Sequence, residues 1–246
     1  GFFDDLFCFF LGCDTEAEEE SQEQTEEQAN SGFIDRLYCE TIGLGCDTEE
    51  EEEGGQEEAT CQSVSPVSDF DLNQFISAKW YVQEQQKVTF QLLQPVENYC
   101  VTAEYTEFDD PSFWGYTIRV DNMSKDAAGD DLNAVFGAKI EGSPIVGELT
   151  VAPLFIPDAG GVPHLVVVYN EAEGYALISA GAPDTPSQNG GCTVSNLYGG
   201  GLWIYTRDWQ RDDTLVQKVI GFAQDLGYDT SVLTTVDQDQ AFCGWQ

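Results

Sequence analysis

Positive charge is scarce in this 246-residue sequence: nine Lys and Arg stand against 45 Asp and Glu, a formal net charge of −36. A chain so acidic repels nucleic-acid phosphates and anionic lipid, which excludes both as electrostatic partners. Histidine is almost absent, with His164 alone, and there is one Met. Eight Cys scattered without a His cluster argue against zinc. Their even number reads instead as disulfides, and so as an oxidising compartment: secreted, periplasmic or an organelle lumen. No apolar run of about 20 residues occurs, so no transmembrane helix is expected. The sequence starts at Gly1 without Met or a basic lead, and a removed targeting segment is expected.

The acidic residues are unevenly placed. Residues 1–60 hold twenty of the 45, with Arg36 as their one basic residue. This stretch is also an internal repeat. Gly1-Phe2-Phe3-Asp4-Asp5-Leu6-Phe7-Cys8 matches Gly32-Phe33-Ile34-Asp35-Arg36-Leu37-Tyr38-Cys39, and each copy runs on to a second Cys followed by Asp-Thr-Glu, at Cys13 and Cys46. Phe2, Phe3, Leu6 and Phe7 fall on one face of a short helix, as do Phe33, Ile34, Leu37 and Tyr38. A local disulfide can close each hook, Cys8 to Cys13 and Cys39 to Cys46. Such hooks on acidic tethers bury too little to form a core. A disordered tail with chance hydrophobes is one reading. The repeat favours another: aromatic hooks that dock on a larger protein or membrane complex. Weak calcium binding by the Glu runs is a lesser reading, because no EF-hand spacing is present.

From Cys61 the pattern changes to that of an all-β domain. Phe70–Phe75 reads as a turn of helix, Trp80–Gln86 as a first strand and Val88–Leu93 as a loop or strand extension. Tyr99–Phe108 follows, then Trp114–Asn122 with Trp114, Tyr116, Ile118 and Val120 on one face. Val135–Glu141, Ile145–Phe155, His164–Tyr169, Tyr175–Ala180 and Gly201–Thr206 complete the series, with a hairpin turn at Glu171–Gly174. Eight or nine short, regularly spaced strands predict a sandwich or barrel. Asp212-Asp213-Thr214 caps a helix to about Leu226, stopped by Gly227. An extended tail, Ser231–Trp245, carries Cys243.

Several blocks in residues 61–246 carry a family resemblance. They are Ala78-Lys79-Trp80-Tyr81, Cys100-Val101-Thr102-Ala103-Glu104-Tyr105, Tyr175-Ala176-Leu177, Trp203-Ile204-Tyr205-Thr206-Arg207 and Thr235-Val236-Asp237-Gln238 with Cys243. In that order they resemble the lipocalins, most closely the apolipoprotein D and bacterial lipocalin branch. Ala78 stands where that family usually has Gly. The resemblance implies an all-β fold, an eight-stranded antiparallel up-and-down barrel with one C-terminal α-helix. It implies disulfides Cys61–Cys192 and Cys100–Cys243, and Trp80 packed on Arg207 at the closed end. It also implies ligand contacts by Tyr105, Asn122 and Trp203 in the calyx. The residues themselves leave other roles open: Tyr105 and Trp203 as core aromatics, and Asn122 in a turn with Asp121.

No catalytic residue is assigned. His164 has no evident nucleophile partner. The chain is also similar to violaxanthin de-epoxidase-type and chloroplast lipocalins in pairing a barrel with Cys- and Glu-rich sequence. That weaker similarity points to a thylakoid lumen and to a carotenoid-acting enzyme as an alternative, with Glu104 or Asp121 as acid–base groups. The reading preferred from sequence is non-catalytic. The barrel binds a lipid, carotenoid, chlorophyll or similar hydrophobic molecule and needs no cofactor. Residues 1–60 form one unit and dock it on a complex, and 61–246 form the barrel. A purely structural subunit without ligand is the remaining alternative.

Overall fold

The computed structural model describes residues 60–86, 99–140, 144–195 and 200–245. The N-terminal hooks (Phe2, Phe3, Leu6, Phe7, Phe33, Ile34, Leu37 and Tyr38), the pairs Cys8/Cys13 and Cys39/Cys46, and the Val88–Leu93 segment lie outside these residues.

A short helix α1 (Leu72–Ile76) leads into β1 (Trp80–Gln86). Then come β2 (Tyr99–Glu107), β3 (Ile118–Lys125), β4 (Ala134–Ile140), β5 (Glu148–Pro153), β6 (Val162–Asn170) and β7 (Tyr175–Ser179). A two-stranded pair, β8 (Thr185–Pro186) and β9 (Cys192–Thr193), precedes β10 (Leu202–Thr206). Helix α2 (Asp213–Asp225), β11 (Leu233–Thr235) and helix α3 (Gln240–Cys243) complete the chain. Each of β1 to β7 pairs antiparallel with the next, and β10 pairs with both β7 and β1. The result is the expected closed up-and-down barrel of eight strands. Closure removes the unpaired edges that an open sheet exposes.

Alternation sorts the side chains. Trp80, Val82, Ala103, Tyr105, Ile118, Val120, Ala138, Leu149, Val166, Ala176, Ile178 and Tyr205 form the interior cluster. Leu165, Val167, Leu177, Leu202 and Ile204 face outward and meet Val216, Val219 and Ala223 of α2. Asp212 caps α2 by accepting from the Thr214 and Leu215 amides at 2.9 and 3.2 Å. The helix thus covers the otherwise wet outer face of β6, β7 and β10.

The disulfides Cys61–Cys192 and Cys100–Cys243 are both formed. They span 131 and 143 residues, and loops of that length correspond to about 4–5 kcal/mol each in the chain-entropy model. The second ties down the C-terminal segment. At the open end β2 separates from β1, and β11 takes the vacated edge, pairing Glu84 with Thr235 and Gln86 with Leu233. The Cys100 amide donates to the Asp237 carbonyl at 2.9 Å across the same seam. The tail expected to be extended therefore contains a strand and a helical turn, because it completes the sheet.

Most strand ends fall within a few residues of expectation, and two strands depart from it more. The third strand starts at Ile118, not Trp114, because Gly115 has φ +87° and breaks the extended run. Ser112 and Tyr116 close that turn, the Ser112 amide donating to the Tyr116 carbonyl at 2.8 Å and Ser112 Oγ accepting from the Tyr116 amide at 3.1 Å. Trp114 consequently leaves the expected face and is 38% exposed, packed edge-on against Phe113. The fifth strand is shorter than Ile145–Phe155, running from Glu148 to Pro153.

Candidate functional site

The closed end is solid. Phe75 lies 5.3 Å from Trp80, 5.1 Å from Tyr105 and 5.2 Å from Phe70, measured between ring centroids, and Tyr169 packs edge-on against this group. Trp80 has no exposed surface, and its indole N–H donates to the Phe75 carbonyl at 2.9 Å. The Arg207 guanidinium stacks over Trp80 at 3.5 Å, as expected, a cation–π contact. Its N–H groups also reach the Gln74 and Phe75 carbonyls and Glu171. One side chain therefore fastens α1, the start of β1 and the β6–β7 turn. A cleft of about 620 Å³ lies on the far side of this floor, open and lined in part by Asp69, Asp71, Glu107 and Ile145.

Above the floor the inner face changes character. The inward positions, read from strand register, include Val101, Asn122, Phe136, Val151, His164 and Trp203. All six are partly accessible although the wall encloses them. This residual exposure separates them from the fully packed residues of the floor. The three residues expected to touch ligand are distributed along this wall. Asn122 lies within β3 opposite Ala103, not in a turn. Its Oδ1 is buried without a hydrogen-bond partner. Trp203 lies opposite Ile178 on the same inner face. A Cβ on Gly201 would come within 2.1 Å of the Trp203 ring, so the glycine lets the indole lie flat against the wall. Tyr105 is more deeply buried, at 3% exposure, and forms the boundary between floor and calyx.

His164, which the sequence shows only as a lone histidine, also faces this wall. Its Nε2 is 3.1 Å from the Tyr105 hydroxyl, and its ring centroid is 6.1 Å from that of Trp203. It therefore joins two of the expected contacts that no strand pairing brings together. The available signal was the alternation in Val162-Pro163-His164-Leu165-Val166, which puts His164 on the face of Val166. Burial lowers the His164 pKa to about 4, so the imidazole is neutral near pH 7. Burial also raises Tyr105 well above the ordinary phenol value and Tyr205 to about 12. The three rings form a neutral hydrogen-bonding group, with no cation to attract an anion.

The carboxylates considered for acid–base work face the other way. Asp121 alternates outward and accepts from Arg119 at 2.7 Å through both oxygens. Glu104 is exposed on the outer surface, 3.6 Å from Lys79. Neither meets a molecule held inside. Among the described residues no cluster of three His, Cys, Asp or Glu side chains is arranged to hold a metal. No helix among them is long and apolar enough to cross a membrane.

No protein-family model matches the chain, and no curated protein matches it in sequence. Solved structures do match. Lobster apocrustacyanin A1 is similar at 15% identity and TM-score 0.50, over 74% of this chain and 91% of its own. Insecticyanin from the tobacco hornworm Manduca sexta is similar at 17% identity and TM-score 0.50, over 74% and 88%. Both are lipocalin-fold proteins. The barrel described here has the lipocalin fold. At such identities the likeness concerns the fold, and the interior of this lipocalin barrel has to be read from its own residues.

Proposed function

We propose that this is a non-catalytic lipocalin of the apolipoprotein D and bacterial type that carries one small hydrophobic molecule, a lipid, carotenoid or chlorophyll-like pigment, in the upper half of its barrel. The observation that carries the reading is the set of inward side chains above the packed floor, among them Phe136, His164 and Trp203, that keep accessible surface inside a closed wall. Support also comes from the lobster neighbour, which is described as an apo form.

The second part of the proposal concerns residues 1–60. The repeated aromatic hooks, Phe2 to Phe7 and Phe33 to Tyr38, dock the barrel on a larger protein or membrane complex. The two disulfides of the barrel favour an oxidising setting, either secreted or an organelle lumen such as that of the thylakoid.

Native mass spectrometry of the full chain, after incubation with a lipid and pigment extract, tests the binding reading. The expected result is a one-to-one adduct released on denaturation. A bare chain at every extract concentration overturns it. A pull-down with and without residues 1–60 tests docking. The truncated barrel is expected to lose its partners, and retention of all of them removes the hooks from the account.

A further inference from the structure

The closed end of the barrel presents an aromatic pair to the outside. The β2–β3 connection, residues 108–117, is closed at its base, where the Phe108 amide donates to the Thr117 carbonyl at 2.9 Å. Tyr116 pins it a second time. Its ring has no exposed surface, and its hydroxyl donates to the Ile156 carbonyl at 2.9 Å. Gly137 makes room for that ring, since a Cβ there would come within 2.3 Å of it. The loop is therefore fastened, yet Phe113 is 89% exposed and Trp114 38% exposed, the two rings edge-on at 4.7 Å. Burying such rings is strongly favourable, and a fastened loop that leaves them outside holds them ready for another surface.

The same end is acidic. Glu107, the last residue of β2, lines the outer cleft with Asp69 and Asp71, beside Phe70, Leu72 and the 42% exposed Ile145. Asp109 and Asp110 follow at the start of the loop, both exposed. Among the described residues none of these carboxylates is in an ion pair. The barrel's own cations are engaged elsewhere: Lys79 with Glu104, Arg119 with Asp121, Lys125 with Asp131, Arg207 with Glu171, Arg211 with Glu84 and Asp213, and Lys218 with Glu173.

This combination narrows the occupant. A second copy of the chain would set like charges against one another. An uncharged apolar surface would cover the rings but strip water from carboxylates that gain no partner. A segment that mixes Arg with apolar residues suits both features. Its apolar side chains meet Phe113 and Ile145, and its guanidinium groups pair with the carboxylates. A guanidinium also stacks on indole, as Arg207 does on Trp80.

We infer that the closed end docks an Arg-containing amphipathic segment of a partner protein, with Phe113 and Trp114 as apolar anchors and Asp69, Asp71, Glu107, Asp109 and Asp110 as counter-charges. The mouth of the barrel, at the opposite end, stays free in such a complex. The inference depends neither on a ligand in the calyx nor on the hooks of residues 1–60.

Two synthetic peptides with equal numbers of Arg test it, one alternating Arg with Leu and the other Arg with Ser. They are titrated into the full chain at physiological ionic strength, where charges more than about 8 Å apart are screened. The Leu peptide is expected to bind about tenfold tighter and to slow amide exchange in residues 68–73 and 107–117. Replacing both anchors, Phe113→Ser with Trp114→Ser, is expected to weaken the Leu peptide about tenfold and to leave the Ser peptide within about twofold. Asp109→Asn with Asp110→Asn is expected to weaken both peptides. Should the double aromatic variant melt early, Phe113→Ser alone is read in its place. Equal affinity for the two peptides overturns the inference, as does exchange protection confined to other regions or a folded aromatic variant that binds the Leu peptide as the parent does. Self-association of the parent that Phe113→Ser abolishes assigns the face to a second copy and also overturns it. So does flotation with phosphatidylcholine vesicles that is lost in Phe113→Ser, which assigns the face to lipid.

Discussion

The two ends of this barrel are built from the same residue types and packed in opposite ways. At the closed end Phe70, Phe75, Trp80, Tyr169 and Tyr205 touch one another, and Arg207 seals them. At the open end Trp203, His164 and Phe136 face inward and keep accessible surface. The difference lies in what stands opposite each ring. Helix α1 inserts Phe75 into the closed end and satisfies the Trp80 N–H, so that end has no room left. No described side chain plays that part above Tyr105. An aromatic residue thus becomes part of a packed core or keeps accessible surface according to whether a neighbouring element packs against it.

Substitutions can break that contrast. The largest effect is expected at the floor: Trp80→Ala removes a fully buried indole and costs about 3–5 kcal/mol of stability, measured by denaturant unfolding. A variant as stable as the parent contradicts a filled closed end. Replacing Cys100 and Cys243 together by Ser comes next, with a loss of about 2–5 kcal/mol. The seam where β11 joins β1 is expected to lose amide-exchange protection before the floor does.

His164 supplies a pH test at the boundary. Its pKa is about 4 in the folded barrel and about 6.5 in an unfolded chain. A lowered pKa means that folding favours the neutral imidazole. Between these values the unfolded state holds the extra proton, so stability falls as pH drops from 6.5 towards 4, by up to about 3 kcal/mol in total. His164→Gln is expected to flatten this part of the stability curve. An unchanged slope removes His164 from the desolvated wall. Smallest in stability is Trp203→Ala, with a cost of about 1 kcal/mol, below the usual burial penalty because the ring already faces open space. Its effect is expected in affinity instead.

These contrasts also mark what the sequence made legible. Short strands at regular spacing made a sandwich or barrel legible, whereas the closed barrel, its two disulfides and the Trp80–Arg207 stack were legible only through the lipocalin resemblance; each has its partner in place. Strand starts were less legible. Trp114 fits the alternation of β3, but a positive φ at Gly115 is a local event that periodicity does not register. Tyr105, Asn122 and Trp203 could be placed on strands. Their connection through His164 could not, because it joins residues 59 positions apart through a side-chain contact. In β1 a register shift between Val82 and Glu84 pairs Glu84 with the outward Ile204 and Gln85 with the inward Trp203, and it was hidden for a similar reason. A bulge inverts the inside–outside pattern after it, and the run Val82-Gln83-Glu84-Gln85-Gln86 is too uniformly polar to reveal where the inversion falls.

The lower barrel is solid, and in the function proposed above the upper barrel holds a molecule. Calorimetric titration of a saturating hydrophobic probe, such as 9-anthracenemethanol, into the parent protein and Trp203→Ala tests it most directly, with thermal melts recorded alongside. The predicted result is one site per chain in the parent and an affinity about tenfold lower in Trp203→Ala, at a melting temperature within a few degrees of the parent. The same affinity in both proteins, or no saturable heat in either, contradicts it.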